Sequence, residues 1–196
     1  MDLDKVRAAA PTHVIVNVEE NTKQTAEALA AFVPNLIVTD VRRPEDNPAL
    51  YRQIGAAFGR EAEAEALAAR FEAAWQAAHE RARPERRVLY LIWRGPWMTV
   101  SRDTYISRML AAFGLTTVPG TVEPRYPEIA LDSPDVAAAD WVLAATEPYP
   151  FRAKDLAGIT AATGRPTRLV DGEMTSWYGP RAIAGLRYLA RLADSL

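Results

Sequence analysis

The sequence predicts an α/β protein in which two lobes with mostly parallel sheets are joined by one long helix. The first observation is the stretch Arg60 to Arg83, which holds no Gly or Pro and is dominated by Ala, Glu, Arg and Gln, all strong helix formers. Leu67, Phe71, Ala74, Trp75 and Ala78 fall on one face of it, Glu61, Glu63 and Glu65 load its start, and Arg81 and Arg83 load its end, as the helix dipole favours. At 1.5 Å per residue it would reach roughly 36 Å, about the width of a small domain. The second observation is that apolar, β-branched runs of strand length alternate with helical patterns on both sides of this stretch. Together they give the order β-α-β-α, long helix, β-α-β-α-β-α, which argues parallel strands.

The elements follow in order. Residues 3–10 read as a short helix stopped at Pro11. His13 to Asn17 is a strand, and Asn21 with Gln24 three residues later opens a helix to about Phe32. Asn35 to Thr39 is a second strand, and Asn47-Pro48 begins a helix to about Phe58. Beyond the long helix, Arg87 to Trp93 is the strongest strand signal. A helix from about Asp103 to Phe113 ends at Gly114, and a Pro- and Gly-bearing stretch runs from Thr116 to Pro134. Asp140 to Thr146 is a strand, Lys154 to Ala162 a helix, Thr167 to Val170 a strand, and Pro180 to about Ala193 the last helix. Residues 1–58 are thus expected to form a first lobe, 59–84 the linking helix and 85–196 a second α/β lobe. With only two strands the first lobe is expected to be incomplete or to lean on the second, since a two-stranded sheet is marginal alone.

Composition narrows the function. A formal net charge of −2, with Arg and Lys scattered, gives no nucleic-acid surface. Zero cysteines exclude disulfides, thiolate zinc sites and a Cys nucleophile. No apolar run approaches bilayer-spanning length, and MDLDKVRAAAP has no hydrophobic export core. The two histidines, His13 and His79, lie in different elements without metal-ligand spacing, and no GxSxG, GxGxxG or GxxxxGK[ST] occurs. Glu19-Glu20 reads either as an acid pair or metal-ligand pair or as a solvated loop.

Ligands in open parallel sheets bind at the carboxyl ends of strands. The loops at those ends and the segment Arg125-Tyr126-Pro127 carry Trp93, Trp97, Met98, Tyr126, Tyr149, Phe151, Trp177 and Tyr178. Read as a group, these side chains line a wide, mostly apolar cleft for a flat or bulky ligand; read singly, each ring could merely cap the sheet. The lack of a nucleophile–base pair or metal set favours a binder over an enzyme. The alternative is a cytosolic α/β enzyme or cofactor-handling protein on the same fold.

Four segments resemble one family: RVLYLIWRGPWMTVSRDTYISRMLAAFG, RYPEIALDSPD, DWVLAATEPYPF and RLVDGEMTSWYGPRAIAGLRYLARL. With APTHVIVNVEEN and NLIVT they are similar to the helical-backbone (type III, chelatase-like) substrate-binding proteins, the cobalamin- and ferric-siderophore-type receptors of ABC importers. The resemblance spans essentially the whole chain. It implies two lobes on a rigid helix, a monomer that carries a corrinoid or ferric chelate between them without catalysis, no metal or cofactor of its own, a periplasmic location and an ABC permease as partner. The ligand positions it implies are Asn17, Glu19 and Glu20 on one side and Trp93, Trp97, Met98, Tyr126, Trp177 and Tyr178 on the other. Asp132 matches the permease-docking acid of the second lobe. In the first lobe the match falls near Lys23 and Gln24, which leaves Glu20 or Glu27 as substitutes. Against that family the chain begins in mid-lobe, so a longer form with a signal peptide is expected.

Overall fold

A computed structural model describes all 196 residues. The chain opens with α1 (Leu3–Ala9), β1 (His13–Asn17), α2 (Lys23–Ala30) and β2 (Asn35–Thr39). The two strands pair in parallel with Ile15 opposite Ile37. Val16, Leu29 and Val33 form a small buried cluster on one face, with Leu3 and Val6 of α1 packed against it. Asn21 does not cap α2 as the sequence suggested. Its Oδ1 accepts from the Asn17 backbone N–H, closing the turn after β1, and Thr22 caps instead by accepting from Thr25 N.

A single 3₁₀ turn at Pro44–Asp46 leads into α3 (Asn47–Phe58), which reverses into α4 (Glu61–Glu80). α4 is the expected long helix, unbroken over 20 residues or about 30 Å. It ends before Arg83 because Pro84 disfavours a helical residue ahead of it. Arg81 is extended, and both arginines turn to Asp194 near the C-terminus while Arg83 also donates to the Ala78 carbonyl. α3 and α4 approach closely at Gly55: a Cβ there would stand 2.5 Å from the Ala64 Cβ.

The second sheet contains β3 (Arg86–Leu91), β4 (Leu115–Val118), β5 (Trp141–Ala145) and β6 (Thr167–Val170), all parallel in the order β4-β3-β5-β6. β4 falls at the start of the stretch in which the sequence showed no strand, because its four residues, followed by Pro-Gly, carry too short a signal. Helices α5 (Tyr105–Ala111), α6 (Pro134–Ala137), α7 (Ala153–Thr163), α8 (Gly172–Ser176) and α9 (Arg181–Ser195) fill the connections. The short α6 and α8 were not foreseen either.

One face of this sheet builds the main core of 24 buried residues. Val88, Tyr90, Leu143 and Val170 meet Met109 of α5, Ala68 and Phe71 of α4, and Leu186 and Leu189 of α9. Tyr51 of α3 belongs to the same core, so the α3–α4 pair is anchored on the larger sheet. The opposite face packs Leu89, Leu91 and Val142 against Val136, Ile159 and Phe151.

Candidate functional site

From β3 the chain moves outward to β4, then returns past β3 to β5 and β6. The direction of winding therefore reverses between β3 and β5. At such a reversal the loops leaving neighbouring strands diverge and open a crevice at the carboxyl ends. A cleft of about 770 Å³ lies there, lined by Ile92 and Trp93 after β3, Glu147 and Pro148 after β5, Ser176 at the end of α8, and Trp177 and Tyr178 after it. Met98, Ile106 and Tyr126 complete this wall, and Asn17, Glu19 and Glu20 after β1 form the facing one.

The sequence-derived ligand residues Asn17, Glu19, Glu20, Trp93, Met98, Tyr126, Trp177 and Tyr178 all line this cleft. Trp97 does not. Trp93 and Met98 are bridged across a tight turn, and residue 97 sits inside that turn with its ring on the other side. Its ring stacks on Phe151 at 6.0 Å, and Tyr149 meets Phe151 at 4.6 Å. The aromatic group of the sequence thus splits into a cleft set and a packing set beneath it. Trp93, Tyr126 and Trp177 remain 40%, 40% and 48% exposed, so ring surface is left for a ligand to cover, although Arg181 lies over one face of Trp177.

Local hydrogen bonding fixes each wall. Asn17 Oδ1 accepts from the backbone N–H of Glu19 at 2.7 Å and of Glu20 at 3.1 Å, an Asx turn that aims both carboxylates into the cleft. Two contacts then cross from wall to wall: Asn17 Nδ2 donates to the Tyr178 hydroxyl, and Arg125 Nη1 pairs with Glu19 Oε1. Burial, with the Glu19 carboxylate as a smaller cause, pushes the Tyr126 phenol up from its ordinary value, so it stays a neutral donor. Glu147 accepts from Ser176 Oγ and Trp177 Nε1. It can do so because residue 172 is glycine: a Cβ there would stand 2.4 Å from Glu147 Cγ.

Sequence reasoning missed Ile92, Ile106, Glu147, Pro148 and Ser176, although the loop after β5 was read as a ligand-side loop. It also missed Asn47, which is fully buried. Instead of capping α3, its Oδ1 accepts from Gly179 N at 2.7 Å and its Nδ2 donates to Pro44 O and to the Tyr105 hydroxyl. Tyr51 adds a 2.8 Å bond to the Gly179 carbonyl. Burial pushes both phenols up and keeps them neutral, Tyr51 as a donor and Tyr105 as an acceptor. This buried knot anchors the loop that presents Trp177 and Tyr178.

The other expected positions lie elsewhere. Asp132 is exposed in the turn before α6, whose cap is Ser133. Glu27 on α2 pairs with Lys23 at 3.7 Å. His13 packs on Phe58 at 4.7 Å, and His79 is bonded to the Trp75 carbonyl. No three His, Cys, Asp or Glu side chains gather where they could hold a metal ion. No helix is long and apolar enough to cross a membrane.

A family model described as periplasmic binding protein matches residues 1–162. No curated protein matches in sequence. Among solved structures the chain is similar to the periplasmic heme-binding protein RhuT from Roseiflexus sp. RS-1, at 23% identity and a TM-score of 0.77 over 98% of this chain and 78% of that one. It is similar to the periplasmic vitamin B12 binding protein BtuF of Vibrio cholerae, at 12% identity and 0.75 over 100% and 80%. A periplasmic heme binding protein from Pseudomonas aeruginosa aligns at 19% identity and 0.78 over 98% and 75%. At such identities the likeness establishes the fold.

Proposed function

The chain belongs to the periplasmic binding protein family, and on that premise we propose that it is the substrate-binding component of an ABC importer for a metal chelate. The cargo is of the corrin, porphyrin or ferric-siderophore kind, held between the two walls and released unchanged, with the metal arriving inside its chelate. The single observation that carries this reading is the cleft. Open rings of Trp93, Tyr126 and Trp177 share about 770 Å³ with polar groups of the opposite wall, a volume suited to a large flat ligand gripped by contact area. Relatives that bind heme or vitamin B12 share the fold, which supports the ligand class.

The test is a fluorescence titration of the two cleft tryptophans with corrinoids, hemin and ferric siderophores. Saturable quenching by at least one is expected, and silence toward all of them overturns the reading. For docking, our reading is a monomer working in the periplasm that meets its permease through Asp132. Replacing Asp132 by Lys should abolish stimulation of the reconstituted importer while leaving chelate affinity within about twofold. Undiminished transport would remove Asp132 from that role.

A further inference from the structure

The charges around the cleft are unevenly matched. No lysine or arginine is among its lining residues, whereas Glu19, Glu20 and Glu147 are. Several arginines near it already have carboxylate partners, Arg42 among them through Asp40. Arg125 pairs with Glu19 and also donates to the Asp103 carbonyl. Arg181 pairs with Glu173 while lying 4.9 Å above the Trp177 ring, and Arg94 pairs with Asp155. Glu20 has no ion-pair partner, and the partners of Glu147 are the hydroxyl of Ser176 and the indole N–H of Trp177. Those neutral donors leave its charge uncancelled.

We infer that this cleft selects its chelate by charge: Glu20 and Glu147 favour a neutral or cationic chelate that presents N–H donors, and disfavour one that carries carboxylates. A ligand carboxylate could take Arg125 only by displacing Glu19, which would then face the ligand unpaired. The sum over the site is the same either way, because the Glu19–Arg125 pair cancels itself. What remains are two acceptor-only groups on the crevice, Glu20 exposed and Glu147 half-buried, where like charges repel and amide or ammonium donors are stabilised. Glu147 is moreover tethered where it stands by the donors of Ser176 and Trp177.

The inference rests on the importer reading of the same cleft, and the experiment separates the two. The wild-type chain is titrated with aquocobinamide (cationic), cyanocobalamin (neutral) and hemin (carrying two propionates) at two ionic strengths, beside Glu20→Gln and Glu147→Gln. Cobinamide and cobalamin should bind at least tenfold tighter than hemin. Added salt should weaken cobinamide binding and strengthen that of hemin. Each substitution should shift the cobinamide-to-hemin ratio by about fivefold toward hemin, as expected for removing one unit charge at close range. Gln keeps the acceptor oxygen for Trp177, so far-ultraviolet spectra and melting should stay at wild-type values. If hemin binds tightest, or the ratio ignores both substitutions and salt, the charge rule is wrong although the receptor reading stands. If none of these probes binds and the ferric siderophores of the first titration are silent too, the receptor reading itself fails.

Discussion

At the scale of single residues, the difference between Trp93 and Trp97 is decided by where each stands in one tight turn. Both were legible as large rings in a loop after a strand, but the loop's pairing was not. Residues 93 and 98 close that turn as a bridged pair, and 97, inside it, packs beneath against Phe151. Trp93→Ala should therefore weaken chelate binding about tenfold with unchanged melting. Trp97→Ala should cost about 2–3 kcal/mol of stability, measured by urea unfolding, with binding reduced only as far as the fold is lost. Swapped phenotypes would reverse the assignment. Asn47 makes the same point from the polar side. An Asn-Pro pair reads locally as a helix start, and nothing in that dipeptide reveals that its side chain bonds a backbone group 132 residues away. Asn47→Ala leaves the Gly179 N–H and the Tyr105 hydroxyl without their buried partner. The expected loss is about 1–3 kcal/mol in urea unfolding, with faster chelate release because the Trp177–Tyr178 loop loosens. A stability loss without any change in release would confine Asn47 to the core.

At the scale of elements, legibility follows the length of the signal. The 20-residue α4 repeats its apolar face over several turns, and its own composition excludes a break. β4, α6 and α8 span four or five residues each and exist because neighbours hold them, β4 through its ladder to β3. No local pattern can announce such elements. The crossing of α3 and α4 was likewise invisible, since Gly55 reads as a weak spot in a helix until Ala64 is seen opposite it. Gly55→Ala tests that contact. A free helix position would gain from the exchange, whereas here the added methyl must force the helices apart and lower stability by about 1–3 kcal/mol in urea unfolding. A stabilised variant would show that the helices yield at no cost.

At the scale of the whole molecule, the site was largely legible because the strand-end rule needs only the strand order and the residues that follow each strand. What the rule does not supply is the winding reversal between β3 and β5, which depends on β4 and determines that Glu147 and Pro148 join Trp93. The same architecture sets how stability is distributed. β3 and β5 lie in a core of 24 buried residues shared with α3, α4 and α9, whereas β1 and β2 close over a separate cluster of three. Such a small cluster cannot hold a parallel pair as firmly as the larger sheet, so the two regions should open at different free energies. Amide exchange should therefore run at least a hundredfold faster in β1 and β2 than in β3 and β5. Anything bound between the walls contacts both regions and must stabilise the closed arrangement. Saturating chelate should thus slow exchange in β1 and β2 most, while the protection of β3 and β5 rises less. If all four strands exchange together with and without chelate, the two regions form one cooperative unit. The wall contacts Asn17–Tyr178 and Glu19–Arg125 would then join the small sheet firmly to the main core before any ligand arrives.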